Sequence, residues 1–130
     1  MKSLLFLLLP ISLCTCFLTS CEKESSEPYA FEGEWIWVET TSGWGPQLNP
    51  DKLGHSISLI IDHSKYTMLV DNVISNEWTY EYKTSTSPSG TISESILLET
   101  NVQYFITVDS VNLELWDGWI DGDVWHYVRK

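Results

Sequence analysis

After residue 30 the chain alternates apolar and polar side chains, and clusters of Gly, Pro, Asn, Asp and Ser interrupt the alternation. A two-residue period of this kind indicates half-buried β-strands, and the clusters between the runs indicate turns. The clearest run puts Trp78, Tyr80 and Tyr82 on one face of a strand, with charged or hydroxyl side chains opposite. The pattern predicts eight strands, at residues 34–41, 55–62, 65–71, 76–84, 92–99, 102–108, 111–116 and 123–129.

The predicted strands follow one another through mostly short polar connections, which join neighbouring strands as antiparallel hairpins. No stretch after residue 30 shows helical periodicity, and the longest connection, residues 42–54, is rich in Gly and Pro. Eight strands joined in this way fit an up-and-down meander, and closing the meander into a barrel removes its exposed edges. We therefore predict an all-β fold, an eight-stranded antiparallel up-and-down β-barrel.

The apolar faces of the predicted strands point into the barrel, and these faces are rich in aromatic residues. Trp35, Trp125 and Tyr127 lie on them, and Val102 and Val111 begin the apolar faces of two later strands. An eight-stranded barrel is only wide enough to be filled by side chains or to hold one small ligand. A filled interior and a small aromatic cup are both open. The residues that would line such a cup are Trp37, Tyr66, Trp78, Tyr80, Tyr82 and Tyr104.

Alternating strand direction brings four of the predicted connections to one end of the barrel, which we term the mouth. Large apolar residues are unexpected in turn-rich connections, and a shared apolar patch would mark a binding or partner surface. The alternative is that each such residue folds back onto the barrel as a lid. The residues of this candidate rim are Trp44, Ile74, Trp119 and Ile120.

The first residues of the chain have the features of a secretory signal peptide. Lys2 precedes an apolar run over residues 4–18, which is shorter than a membrane span. Residues 18–21, Leu-Thr-Ser-Cys, resemble the lipobox of bacterial lipoproteins, in which an aliphatic residue and two small residues precede a cysteine. Cys14 and Cys16 fit this pattern less well, and an ordinary signal peptide is the alternative. The resemblance implies that residues 1–20 are removed and that Cys21 carries lipid, palmitate included, in the cell envelope.

A short acidic segment, residues 21–29, would connect the lipidated cysteine to a barrel domain over residues 30–130. Residues 22–28 read E-K-E-S-S-E-P, a composition typical of a flexible tether. Glu22 is not the aspartate that bacterial lipoproteins use for retention in the inner membrane. The resemblance therefore favours the outer membrane, on its periplasmic or its surface face.

Charge and cysteine content narrow the possible partners. Removing residues 1–20 takes away one lysine and no acidic residue, so the net charge changes from −11 to −12. Such a surface repels phosphate groups, which excludes nucleic acid as a partner. Cys21 is the only cysteine left after this cleavage, so the predicted barrel has no disulfide, thiol nucleophile or Cys-based metal site.

The other chemistry-bearing residues form no recognisable constellation in the sequence. His55, His63 and His126 lack the spacing of a zinc site. The acidic turn at residues 117–123 does not match the calcium-binding loop of an EF-hand. No G-x-S-x-G elbow accompanies the many serines. We therefore predict no catalytic residue, no metal and no cofactor, and we expect that the protein is not an enzyme.

Several motifs resemble the small lipocalin-like domains of bacterial lipoproteins, which are barrels of the calycin type. Gly33-Glu34-Trp35 resembles the G-x-W motif that opens lipocalins, and Arg129 resembles the arginine that packs on its tryptophan. Strand alternation independently brings Trp35 and Arg129 to the same end of the barrel. The resemblance covers about residues 31–130, and its further matches are Trp37, residues 43–50, Tyr104-Phe105, Asp121-Gly122 and Tyr127.

This resemblance implies a structural role for Gly33, Trp35 and Arg129, which would close one end of the barrel. It also implies that the protein binds a small hydrophobic or amphipathic ligand in the barrel mouth. The alternative is a filled barrel whose rim serves as a protein- or glycan-interaction module of the cell envelope.

Overall fold

The computed structural model describes residues 28–86, 88–118 and 121–130. Within these residues the chain forms eight strands and one short helix. Neighbouring strands pair antiparallel in sequence order, and the last pairs with the first, which closes the barrel. The predicted all-β, up-and-down barrel is thereby confirmed. The elements are β1 (Gly33–Ser42), α1 (Pro50–Leu53), β2 (Ile57–Ile61), β3 (Lys65–Val70), β4 (Val73–Thr86), β5 (Ile92–Leu98), β6 (Gln103–Val108), β7 (Asn112–Trp116) and β8 (Asp123–Arg129).

The helix α1 interrupts the connection between β1 and β2, where the sequence pattern predicts no helix. The Asn49 side chain accepts a hydrogen bond from the amide of Lys52 (2.9 Å), which caps the first turn. Pro50 begins the helix, and Gly54 ends it with a positive φ of 76°. The helix has four residues, which is too short to show an apolar period, so only its capping residues signal it.

Buried apolar side chains come from every strand except β4, whose Trp78, Tyr80 and Tyr82 are half-buried and pack against this core. The buried apolar residues alternate along the strands as expected, and the buried polar residues Thr67 and Ser95 lie next to them in β3 and β5. Val102 and Val111 are exceptions, because they are 40% and 55% exposed and precede the first residues of β6 and β7. The predicted strands begin one residue too early at both positions, so these two side chains are exposed instead of belonging to the regular alternation.

A β-bulge in β1 changes which residues face the interior. Trp37 pairs with Tyr127 of β8, and the register shifts before Glu39 pairs with His126. As a result both Trp37 and Thr40 are buried, although they are three residues apart. The indole N–H of Trp37 donates to the hydroxyl of Thr40 (3.0 Å), so the buried polar groups satisfy each other.

The segment before β1 covers the end of the barrel opposite the mouth, which we term the closed end. Phe31 is 2% exposed, and its carbonyl accepts a hydrogen bond from the indole N–H of Trp35 (2.8 Å). Tyr29 stacks on Phe31 at 5.1 Å and lies 4.4 Å from the ring of Tyr82. Tyr29 falls in the predicted tether, yet it packs on the barrel. The described chain therefore has a single core that begins at this residue, as expected of a unit that folds by itself.

Candidate functional site

Five apolar side chains of the interior are only half-buried, and we term this set the mouth layer. Tyr104 is the second residue of β6 and Trp125 the third of β8, so both lie near the mouth ends of their strands. Side chains further down the same strands, Ile106 and Tyr127, are 8% and 5% exposed. The interior is thus filled below and partly open above. The mouth layer consists of Ile57, Met68, Trp78, Tyr104 and Trp125.

Aromatic rings connect the mouth layer with the buried residue beneath it. The ring of Tyr104 meets that of Trp125 edge-on, at 5.4 Å and 82°. Tyr66, 5% exposed, stacks with Tyr104 at 6.3 Å and lies 6.0 Å from Trp78. Edge-on and offset arrangements of this kind stabilise aromatic pairs. The four rings therefore form one continuous aromatic cluster, in which Tyr66 is the floor beneath the three half-buried rings.

The phenols near this floor are neutral at physiological pH. Burial raises the pKa of Tyr66 well above its usual value, and its hydroxyl shares a hydrogen bond with that of Tyr127. Burial, followed by the negative charge of Asp117, raises the pKa of Tyr104. Both groups stay protonated, and the half-buried Tyr104 offers a ligand an uncharged hydroxyl beside apolar surface, whereas Tyr66 is buried beneath it.

Four of the six predicted lining residues lie in or beneath the mouth layer, and the other two pack against the core at the closed end. Trp37 and Tyr66 are buried beneath the mouth, and Trp78 and Tyr104 belong to the mouth layer. Tyr80 and Tyr82 lie instead at the closed end. The hydroxyl of Tyr80 donates to the carbonyl of Asp62 (2.5 Å) and that of Tyr82 to the carboxylate of Glu94 (2.6 Å).

The length of β4 explains why these two tyrosines lie at the other end of the barrel. It has 14 residues, of which the first part pairs with β3 and the second part with β5. Alternation alone puts Trp78, Tyr80 and Tyr82 on the same face. It does not show that the strand continues past the end of its first neighbour, which takes the two tyrosines to the closed end.

The candidate rim is described in part. Trp44 lies in the connection after β1 and is 85% exposed. Ile74, 61% exposed, is not in a connection but is the second residue of β4, where it pairs with Leu69 after a bulge. Both lie at the mouth end of the barrel. Trp119 and Ile120 lie outside the described residues.

At the closed end the predicted cluster of Gly33, Trp35 and Arg129 is in contact. Trp35 is fully buried, and the guanidinium carbon of Arg129 lies 4.1 Å from its ring centroid. The guanidinium also donates to the carbonyls of Ala30 (3.0 Å), Glu32 (3.2 Å) and Ser110 (3.1 Å). These contacts connect the N-terminal segment, β1, β8 and the turn before β7. The cluster is structural and lies far from the mouth layer.

The outer wall carries a hydrogen-bonded chain that the sequence pattern does not reveal. His126 lies 3.2 Å through Nδ1 from the carboxylate of Glu114 and 3.1 Å through Nε2 from the hydroxyl of Thr41. Glu39, which pairs with His126 across the β1–β8 seam, accepts a hydrogen bond from Gln47. These residues belong to three strands and one connection. Outward alternation of Glu114 and His126 is visible in the sequence, but their juxtaposition depends on strand register.

Shallow grooves accompany this outer wall. One of about 310 Å³ is lined by Glu39, Glu114 and His126 together with Val38. Another, of about 390 Å³, lies beside Phe105 and follows β5 and β6. Among the residues that the structure describes, no group of three or more His, Cys, Asp and Glu side chains could hold a metal ion.

Comparisons of the chain with protein-family models, with curated proteins and with solved structures find no match. In the described part of the chain, no helix is both long and apolar enough to cross a bilayer.

Proposed function

We propose that this protein is a lipid-anchored lipoprotein of the cell envelope whose lipocalin-like barrel binds a small hydrophobic or amphipathic ligand at its mouth. The mouth layer is the observation that supports this function. Trp78, Tyr104 and Trp125 are large aromatic residues of the barrel interior that remain half-buried, above a floor that is closed by Tyr66. Apolar aromatic surface with a few convergent hydroxyls is typical of small-molecule sites.

The anchoring part of the proposal rests on Cys21 and its lipobox-like context. The N-terminal segment packs at the closed end, and residues 22–28 span at most about 25 Å when extended. A membrane-bound Cys21 would therefore hold the closed end near the bilayer and leave the mouth facing away. Several acyl chains, each contributing about 0.8 kcal/mol per buried CH₂, make such anchoring stable.

Metabolic labelling with palmitate tests the anchor. We expect the label on the full chain, its loss in Cys21→Ser, and its retention in the control Cys16→Ser. Fractionation of labelled cells should recover the protein with the outer membrane. Label that survives in Cys21→Ser would contradict the assignment of the lipidated residue.

Titration with the uncharged apolar probe N-phenylnaphthylamine tests the ligand site. The unlipidated mature chain, residues 22–130, avoids competing detergent, and its circular dichroism should first show that it is folded. We expect saturable enhancement of probe fluorescence, at least about tenfold weaker in Trp125→Ala, which corresponds to about 1.4 kcal/mol. Trp116→Ala removes a tryptophan from the outer wall of the neighbouring strand and serves as the matched control. Equal losses in both variants would contradict a site at the mouth.

The second candidate function is a protein- or glycan-interaction module, and the exposure of Trp44 favours it. Val73 and Ile74 at the same end are 68% and 61% exposed. Apolar side chains grouped at one end support a partner surface. We expect wild-type protein to recover envelope components that Trp44→Ala, combined with Ile74→Ser, does not recover. Equal recovery by wild type and the double variant would exclude this function for the rim.

A further inference from the structure

The connections at the mouth carry far more negative than positive charge. The four connections, residues 43–56, 71–72, 99–102 and 117–122, together with the first residue of β8, contain six carboxylates and one lysine. The lysine, Lys52, donates to the carbonyl of Gln47 (2.8 Å) within its own connection. His55 lies 2.7 Å from Asp71, and the balance of charge at the mouth is nevertheless negative, so a ligand that approaches the mouth layer meets a net negative potential. The six carboxylates belong to Asp51, Asp71, Glu99, Asp117, Asp121 and Asp123.

One of these carboxylates, that of Asp117, follows β7 directly at the mouth, two residues after Leu115, which pairs with Trp125 of β8. Asp117 is half-buried at the end of β7, and its carboxylate accepts a hydrogen bond from the amide of Asp123 (3.4 Å). Its oxygens occupy the space that a Cβ at Gly122 would fill, so the turn holds the group in place. After burial, its charge is the next cause of the raised pKa of Tyr104. A fixed negative charge thus acts on the mouth layer itself.

The aromatic rings favour the same sign of ligand charge. The face of a tryptophan or tyrosine ring attracts a cation and repels an anion, because the ring quadrupole is negative above its plane. Tyr104 and Trp125 meet edge-on and both stay half-buried, so part of their aromatic surface is accessible at the mouth. Rings in such an arrangement, together with a carboxylate, recognise organic ammonium groups.

We propose that the mouth selects small amphipathic cations, with an organic ammonium group near Asp117 and the rings of Tyr104 and Trp125. The apolar part of the ligand contacts Ile57, Met68 and Trp78 of the mouth layer. This inference rests on the proposed ligand-binding function and adds the charge of the ligand to it. It excludes fatty acids and other amphipathic anions as the preferred ligands, since the carboxylates and the ring faces both repel them.

The test compares three ligands with the same alkyl chain: decyltrimethylammonium, decanol and decanoate, each below its micelle concentration. Binding to the unlipidated mature chain is followed by tryptophan fluorescence and calorimetry, with circular dichroism confirming that the fold is retained. At low salt we expect the ammonium to bind at least about tenfold more tightly than decanoate, with decanol between them. The preference should shrink as salt rises, because screening weakens the interaction between exposed charges.

Charge-neutralising variants then locate the selectivity. Asp117→Asn should lower the affinity for decyltrimethylammonium about fivefold or more and leave that for decanol unchanged. Asp121→Asn removes an exposed charge from the same end but leaves the hydrogen bond of Asp117 in place. A loss of affinity in this variant therefore reflects the lost charge and not a disturbed fold. Glu34→Gln is the matched control, because it makes the same change in net charge at the closed end.

The possible outcomes distinguish the preference for cations from the proposed ligand-binding function on which it rests. Preference for the ammonium that Asp117→Asn and Asp121→Asn reduce, but Glu34→Gln does not, supports the inference. Equal or tighter binding of decanoate overturns the inference while the ligand-binding function stands. Equal effects of all three variants overturn the role of the mouth carboxylates. If none of the three ligands binds, the proposed ligand-binding function itself fails.

Discussion

Replacing Arg129 by alanine should destabilise the barrel more than any other substitution of a charged residue at the closed end. The guanidinium covers the ring of the fully buried Trp35 and donates to three backbone carbonyls. Two of those carbonyls, of Ala30 and Glu32, belong to the N-terminal segment that covers the closed end. The third, of Ser110, belongs to the turn before β7. Removing the side chain therefore frees the N-terminal segment, the turn before β7 and the ring of Trp35 in β1 from a shared partner.

The magnitude follows from these contacts. A cation over an indole at a partly exposed site contributes about 0.5–1 kcal/mol. A hydrogen bond contributes about 0.5–1.5 kcal/mol, and the lower half of that range applies here because Arg129 is exposed to solvent. The four interactions together predict a loss of about 2–4 kcal/mol in the free energy of unfolding for Arg129→Ala. The loss for Arg129→Lys should lie between zero and that for Arg129→Ala, since lysine keeps the charge but not the planar guanidinium.

Urea denaturation followed by tryptophan fluorescence measures the effect. For a domain of this size the expected loss lowers the midpoint by about 1–3 M. Lys130→Ala is the control, because the Lys130–Glu34 ion pair (3.0 Å) is exposed and such pairs contribute at most about 1 kcal/mol. Hydrogen exchange at the amide of Glu32, which donates to Tyr29 (2.9 Å), should also accelerate in Arg129→Ala. Equal midpoints for Arg129→Ala and Lys130→Ala would refute the reasoning.

Three further predictions concern backbone strain, the core and alkaline pH. Gly33→Ala should lower the free energy of unfolding by about 1–3 kcal/mol, because φ is +138° and the new Cβ would lie 2.7 Å from Arg129. Gly90→Ala is the control, since Gly90 also has a positive φ but open space around it, and thermal unfolding should show a smaller loss. Equal losses in the two variants would exclude the clash. Leu59→Ala should lower the free energy of unfolding by about 2–5 kcal/mol, because the side chain is fully buried. A loss of at most about 1 kcal/mol would show that neighbouring side chains fill the cavity. Burial raises the pKa of Tyr66, and the hydrogen bond to Glu94 raises the pKa of Tyr82 to about 12. The unfolded chain therefore releases protons near pH 10 that the native state keeps, so stability is full below pH 10 and falls as pH rises further. An unfolding free energy that stays constant from pH 9 to 12 in urea titrations would contradict this.

The candidate site shows where prediction from the sequence ends. Alternation identifies the aromatic interior, including Tyr66, Trp78 and Tyr104, because the period of a strand is local and each residue faces the core or the solvent. It does not separate Tyr80 and Tyr82 from that set, because their height in the barrel depends on how far β4 runs past β3. The sequence also misses the hydrogen-bonded chain of His126 on the outer wall, because its residues come together only through the register of their strands.

Local patterns in the sequence also failed to predict two features near the mouth, the helix α1 and the position of Ile74 within β4. The capping residues of α1 are present in the sequence, but four residues carry no apolar period that would indicate a helix. Ile74 lies in the predicted connection only because the bulge in β3–β4 pairing extends the strand beyond the cleanest alternation. A bulge adds a residue on one strand without changing its composition, so neither side-chain type nor spacing reveals it.

By itself the sequence determined the strand class, the order of the strands and the inward faces, because side-chain alternation and turn residues are local properties of the chain. It also determined the acidic balance and the lipobox-like segment that contains Cys21. Only the tertiary structure decided which aromatic side chains are half-buried at the mouth and that the charge of Asp117 acts on Tyr104. The physical reason is that both depend on the register around a closed barrel, which brings residues together across strands that are distant in the chain.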